Sequence, residues 1–239
     1  MIWIWDTIFY NPLYNLLVYL IDVIPNHDAG IAVVLVTIIV SLLLFSISKK
    51  AIRTQLKMKD IEPELKKIKE TIKDKQEQSL ATLALYKKNN INPFSGILMM
   101  LIQIPVLFAL YYVFYKGGLP SIHSDILYGF VKVPLNVNMN FLGIMDIGKA
   151  SLTMAIIGGI TQFIQAQIVS PKTKKSEKGS MSEDFAHSMN MQMKYVFPVI
   201  ILIIGAGLPS ALPLYWAARS TFMSVQEFVV RRKKNGVKS

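Results

Sequence analysis

The chain has 239 residues, is 52% hydrophobic, and sets 26 Lys/Arg against 15 Asp/Glu for a formal net charge of +11. Its apolar residues gather in runs near the length that a helix rising ~1.5 Å per residue needs to cross ~30 Å of hydrocarbon, which excludes an ordinary soluble domain. The absence of cysteine excludes disulfides, iron–sulfur clusters, thiolate zinc sites and a lipoprotein anchor.

The N-terminus has neither a basic n-region nor a small-residue cleavage motif, so no cleaved signal peptide is expected. Within residues 1–28, Leu13, Leu16, Leu17, Leu20, Ile21 and Ile24 recur on one helical face, with Asn11, Asn15 and Asp22 opposite. That pattern predicts an amphipathic helix lying in the outer interface, ended at Pro25-Asn26-His27-Asp28. A first span is expected over 29–48, followed by a polar insert, 49–92, that reads as a helical hairpin. Its first arm carries the stripe Ile52, Leu56, Ile61, Leu65, Ile68 and Ile72, with a new turn or kink at Pro63. Its second arm, beyond Lys73-Asp74-Lys75, carries Leu80, Leu83 and Tyr86, and the two stripes are expected to pack together.

A second span follows over 96–116, then a turn-rich outer loop, 117–148, and a third span, 149–170, with Gly158-Gly159 for close packing. A cytoplasmic loop occupies 171–193. The last apolar stretch is broken by Gly205, Gly207, Pro209 and Pro213 and is read as a short fourth span, 194–207, and a fifth, 208–230, before a basic tail, 231–239.

Charge fixes the orientation. Twelve Lys/Arg lie in the insert, five between Pro171 and Tyr195 and five after Val230, whereas Met1–Ser48 holds none. Positive segments stay on the cytoplasmic side, which puts the N-terminus outside and the C-terminus inside. Only Lys116, Lys132 and Lys149 fall on the outer side, and Arg219 lies inside an apolar run. Charge distributed this way does not suit a DNA-binding domain. The basic groups Lys66, Lys67 and Lys69 in the hairpin and Arg231, Arg232, Lys233 and Lys234 in the tail suit RNA or anionic lipid instead.

The spans contain no deep Asp, Glu, Lys or His; Lys194 and Glu227 are expected to snorkel from cytoplasmic ends. Ion-coupled transport normally needs such groups. No Ser/His/Asp, paired-carboxylate or His-Glu-x-x-His arrangement is present, and His27, His123 and His187 lack metal-ligand spacing, so neither an enzyme nor a cofactor is expected. The run His187–Met193 could offer thioethers to copper(I), but an adaptable apolar surface is the better reading. Arg219 is the exceptional group, since an arginine at mid-span costs roughly 2.5–3.5 kcal/mol. Eleven residues separate it from Val230, about 16 Å of helix, further than its side chain reaches. A water-filled pocket is therefore expected around it, with Ser41, Gln103, Gln162, Gln165 and Ser220 as neighbours.

The order of elements resembles the YidC family of membrane protein insertases, which has bacterial, mitochondrial and thylakoid members. The resemblance rests on Leu85-Tyr86-Lys87-Lys88 through Asn92-Pro93, on Leu101-Ile102-Gln103-Ile104-Pro105 through Tyr112, and on Leu208-Pro209-Ser210-Ala211-Leu212-Pro213-Leu214-Tyr215-Trp216. It implies an all-α integral membrane protein of the bacterial inner membrane, with five transmembrane helices around a hydrophilic groove open to cytoplasm and lipid and closed outside. The implied activity is insertion of nascent membrane proteins without nucleotide hydrolysis. The implied partners are those clients, the ribosome, lipids and the Sec translocon. The family's usual arginine on the first span, after a Thr-hydrophobic-hydrophobic-Val pattern, is Ser41 here, following Thr37-Ile38-Ile39-Val40, and its usual proline five residues on is Ser46. Arg219 is expected to supply the missing cation from across the groove. A small-solute transporter or channel and a non-inserting assembly chaperone are the alternative readings.

Overall fold

The computed structural model describes residues 2–92, 95–115, 119–169, 188 and 191–235. The chain begins as one helical rod: α1 (Ile2–Trp5), a π-turn over Asp6–Tyr10 and α2 (Asn11–Val23). Asn15 does not lie on a wet face. It is 2% exposed, buried with Tyr14, Leu17, Val18 and Ile21. Its amide donates to the Ile126 carbonyl at 2.9 Å and accepts from the Tyr128 N–H at 2.6 Å. The Tyr14 hydroxyl accepts from the His123 N–H at 2.8 Å. A side-chain amide carries both a donor and an acceptor, so it can satisfy a passing backbone that periodicity does not reveal.

Helix α3 (Ala29–Leu43) is capped by Asp28, whose Oδ1 accepts from the Gly30 and Ile31 N–H groups at 2.8 and 3.0 Å. Asp28 Oδ2 accepts from the Leu142 N–H at 2.7 Å and so ties the outer loop to the same helix end. Asp28→Ala is expected to lower stability by about 1–2 kcal/mol, the usual range for a lost cap. Thermal unfolding in detergent measures this, and faster proteolysis of the 119–151 loop should accompany it.

The span expected over 29–48 is not one straight helix. It stops at Leu43, and α4 (Phe45–Asp60) leaves it at 65°. Neither proline nor glycine sits at the bend. Instead, the Gln226 amide donates to the Ser48 hydroxyl at 2.6 Å and the Phe45 carbonyl at 3.3 Å, placing a side chain from a distant helix at the turn. Helix α4 runs into the insert, followed by α5 (Glu62–Thr71) and α6 (Lys75–Lys88). Pro63 occupies the first turn of α5, where its missing N–H has no helical partner to lose. Asp74 caps α6 through the Gln76 and Glu77 N–H groups at 2.9 and 2.8 Å. Ile61, Leu85 and Ile91 form a small core with Met58, Leu65 and Ile68 around it. The expected second stripe is met in part: Tyr86 packs on this core, but Leu80 and Leu83 are exposed, and the buried face of α6 is Gln78, Thr82 and Leu85, at i, i+4 and i+7.

Helix α7 (Ser95–Tyr115) precedes the loop expected on the outer side, here called the outer loop, which is not wholly irregular. It contains a 3-10 turn, Ser124–Ile126, and an antiparallel hairpin of β1 (Asn140–Phe141) and β2 (Met145–Asp146), so the chain is mostly helical and not all-α. Lys149 lies 2.9 Å from Asp146 and holds its carboxyl below the usual range by hydrogen bonding, partly offset by burial. The loop is fastened at three helix ends: to α2 through Asn15 and Tyr14, to α3 through Asp28, and to the last helix. There the Ser210 and Ala211 N–H groups donate to the Lys149 and Ile147 carbonyls at 2.8 and 3.0 Å.

Helix α8 (Leu152–Val169), a π-turn over Gln192–Val196, α9 (Phe197–Gly205) and α10 (Ala211–Asn235) complete the order. A Cβ on Gly158 or Gly159 would lie 3.2 Å from the Pro213 or Pro198 carbonyl oxygen, so the two glycines set how closely α8 meets α10 and α9. Arg231, Arg232, Lys233 and Lys234 do not begin a separate tail; they continue α10, which runs to Asn235. Among the described residues, Leu152–Val169 is the single straight helix long and apolar enough to cross a bilayer. The bent pair α3–α4 passes that test together, and Leu101–Tyr115 and Lys194–Gly205 are shorter apolar helices. Lys116, residues 171–187 of the expected cytoplasmic loop, His187, Met189 and Asn190 of the run His187–Met193, and residues 236–239 lie outside the described residues.

The main core draws on α2, α3, α7, the outer loop and α10, with Tyr14, Leu17, Val33, Leu110, Ile147, Leu212 and Tyr215 all buried. Helix α10 is its hub, packing on α8, α3, α4 and α7. Helix α7 packs on α2, α4 and α10, and α9 on α8; no substantial contact joins α7 to α8 or α9 among the described residues.

Candidate functional site

Polar side chains on α10 fall into two stripes because residues seven apart share a helical face. One stripe, Arg219 and Gln226, faces α3 and α4. The Arg219 guanidinium donates to the Ser41 hydroxyl at 3.2 Å, and that hydroxyl donates in turn to the Thr37 carbonyl at 2.6 Å. Ser41 and Thr37 are buried, and Gln226 makes the bond to Ser48 at the bend. The other stripe, Ser220, Glu227 and Arg231, faces α8. Ser220 donates to the Gln162 amide oxygen at 2.9 Å, and Gln162 Nε2 donates to Gln165 Oε1 at 2.8 Å.

Five of the six residues expected to surround the pocket are thus gathered on or against α10. Gln103 is the exception. Its amide nitrogen and oxygen are both buried, and neither makes a hydrogen bond with a described residue. The Tyr215 hydroxyl, one turn before Arg219, is likewise buried without a partner. Gln226 Oε1 and Glu227 Oε2 are also buried without a partner among the described residues, and unpaired buried polar groups are costly, so each is a place where water or a visiting polar group would be stabilised.

Glu227 does not snorkel. It is fully buried, and Arg231 Nε donates to its Oε1 at 2.7 Å while Arg231 Nη2 donates to the Ile168 carbonyl at 2.7 Å. Arg231 therefore clasps the end of α8 and is engaged within the protein, unlike the exposed Arg232 next to it. The sequence offered one signal for this pairing, the i, i+4 spacing of a carboxylate and an arginine. Lys66 and Lys67 stand exposed on α5, and Lys66 lies 3.7 Å from Glu70. Lys69 is half-buried on the same helix, and the Lys233 and Lys234 backbones continue α10.

Together these features define a mostly helical protein in which polar groups sit between apolar helices beneath a fastened outer loop. The family model described as "60Kd inner membrane protein" matches residues 20–237, and the chain belongs to that family of bacterial inner-membrane proteins, which includes the YidC proteins. It is 28% identical over 227 residues to a protein of Fusobacterium nucleatum subsp. nucleatum named membrane protein insertase YidC, covering 94% of this chain and 97% of that one. Proteins of the same name from Clostridium tetani and Oceanobacillus iheyensis are each 29% identical. The matches cover 87% and 96% of this chain and 84% of each relative.

Proposed function

We propose that this protein is a membrane protein insertase, guiding nascent apolar segments and short polar tails from the cytoplasm into the bilayer through a hydrophilic groove. The observation that carries the reading is the polar seam along α10: Arg219 with Ser41, and Ser220 with Gln162 and Gln165, set among helices whose other surfaces are apolar. The names of the relatives support the same activity. In this reading five segments span the bilayer: α3 as far as its bend, α7, α8, α9 with the turn before it, and α10. The N-terminal rod lies at the outer interface, the α4–α6 hairpin hangs in the cytoplasm, and the fastened outer loop closes the groove outside. The gap in packing between α7 and the α8–α9 pair is the lateral way out to lipid.

The energetics need no nucleotide. A translocated tail carries polar groups that are expensive to bury unpaired, and groove water and side chains offset part of that cost. The apolar segment then leaves sideways because its partition into hydrocarbon is downhill. Exposed lysines of the hairpin and Arg232 near the end of α10 contribute attraction to the ribosome or lipid head groups, weakened by salt. The test is reconstitution. Purified protein in phospholipid vesicles should insert a short-tailed single-span protein in the absence of ATP and GTP. Insertion no better than in empty vesicles overturns the reading.

A further inference from the structure

The outer hairpin ends in a turn whose residues are the wrong ones for water. Leu142 and Gly143 both have positive φ, +53° and +73°, and the Ile144 N–H closes the turn on the Phe141 carbonyl at 2.9 Å. Two consecutive left-handed residues in a tight turn favour asparagine or glycine in the first place. A bulky residue there is strained. Yet leucine occupies it, and its side chain is 59% exposed, with the neighbouring Ile144 at 80%. The strain gains Leu142 little packing inside the protein.

The turn is held beside the start of α3. Asp28 accepts from the Leu142 N–H, Asn138 pairs with His27 and Ala29, and the Phe141 ring lies where a Cβ on Gly30 would be. The tip is therefore held at the N-terminal end of α3, the end that the spanning reading puts at the outer face of the bilayer. A second tip of the same loop repeats the chemistry: Phe130, Val133 and Leu135 are exposed around the exposed Lys132. An apolar tip beside a cation complements the boundary between acyl chains and anionic head groups.

We propose that the outer loop is a lipid anchor, with Leu142 and Ile144, and separately Phe130, Val133 and Leu135, inserted into the outer leaflet. Anchored in this way, the loop holds the closed end of the bundle at a fixed depth. This rests on the membrane-spanning reading above, and its test separates the two.

The chain lacks cysteine, so single nitroxide labels can be placed at Ile144→Cys, at Ile160→Cys on the exposed face of α8, and at Leu80→Cys on the hairpin. The protein is reconstituted in vesicles of phosphatidylethanolamine and phosphatidylglycerol, and collision with oxygen is compared with collision with a water-soluble nickel chelate. The oxygen-to-nickel ratio at 144 should be several-fold above that at 80 and approach that at 160. Leu142→Asn, which suits the turn better, should lower the ratio at 144 without lowering thermal stability. A water-like ratio at 144 beside a lipid-like ratio at 160 overturns the anchor and leaves the spanning reading intact. Water-like ratios at both overturn both. A label at 144 shielded from both reagents indicates a protein neighbour and also overturns the anchor.

Discussion

Arg219→Ala should slow insertion of clients with acidic or polar translocated tails by roughly tenfold, while wholly apolar clients are little affected. The magnitude follows from hydrogen bonds to a charged group, which contribute about 1.5–3 kcal/mol each. The asymmetry follows from chemistry: a polar tail gains from the guanidinium and the water it holds, whereas an apolar segment has nothing to exchange with it. Because Arg219 lies 3.2 Å from Ser41, a cation introduced at Ser41 would occupy nearly the same space. Ser41→Arg combined with Arg219→Ala should therefore restore most of the lost insertion. Failure of that rescue, with both variants folded, would mean that Arg219 acts through packing on α10 and not through charge.

The second large effect concerns stability. Arg231→Ala leaves the fully buried Glu227 carboxylate without its cation and the Ile168 carbonyl without its donor. Breaking a buried pair by removing one partner costs about 3–5 kcal/mol. The lower end applies here because the Arg231 side chain is 36% exposed. Arg232→Ala removes an equal charge from an exposed position and should change stability negligibly. Glu227→Gln added to Arg231→Ala should recover much of the loss, since the buried charge is gone. Thermal unfolding in detergent distinguishes the three variants, and equal loss for both arginine variants would show that charge number and not the clasp matters.

Reading these elements from sequence succeeded where the signal is local. Apolar runs, the new turn at Pro63, the break between Gly205 and Ala211 and the family motifs each depend on neighbouring residues. The proximity of Arg219 and Ser41 also had a signal, a missing cation on one helix and an extra one on another; the part that Arg219 plays remains a proposal. What escaped was set by partners far along the chain. The bend after Leu43 has no proline because Gln226, 181 residues from Phe45, supplies the hydrogen bonds at the turn. Asn15 read as a polar face because the loop backbone it satisfies is more than a hundred residues away. Leu80 and Leu83 looked like an inner stripe because hydropathy identifies apolar residues but not which of two adjacent faces meets the other arm. Glu227 looked like a snorkelling end group because the carboxylate was weighed without its arginine.

The bend between α3 and α4 has a mechanical consequence. One non-helical residue, Leu44, separates the two rods, so α3 and α4 form a cranked lever whose fulcrum is gripped by Gln226. The outer arm, α4 with its 16 residues, is about 24 Å long at 1.5 Å per residue. A load that swings this arm applies torque to Ser41 on one side of the fulcrum and pulls on α10 through Gln226 on the other. In the insertase reading, a client that loads the hairpin would therefore be felt on α10, the helix that carries Arg219, through Gln226.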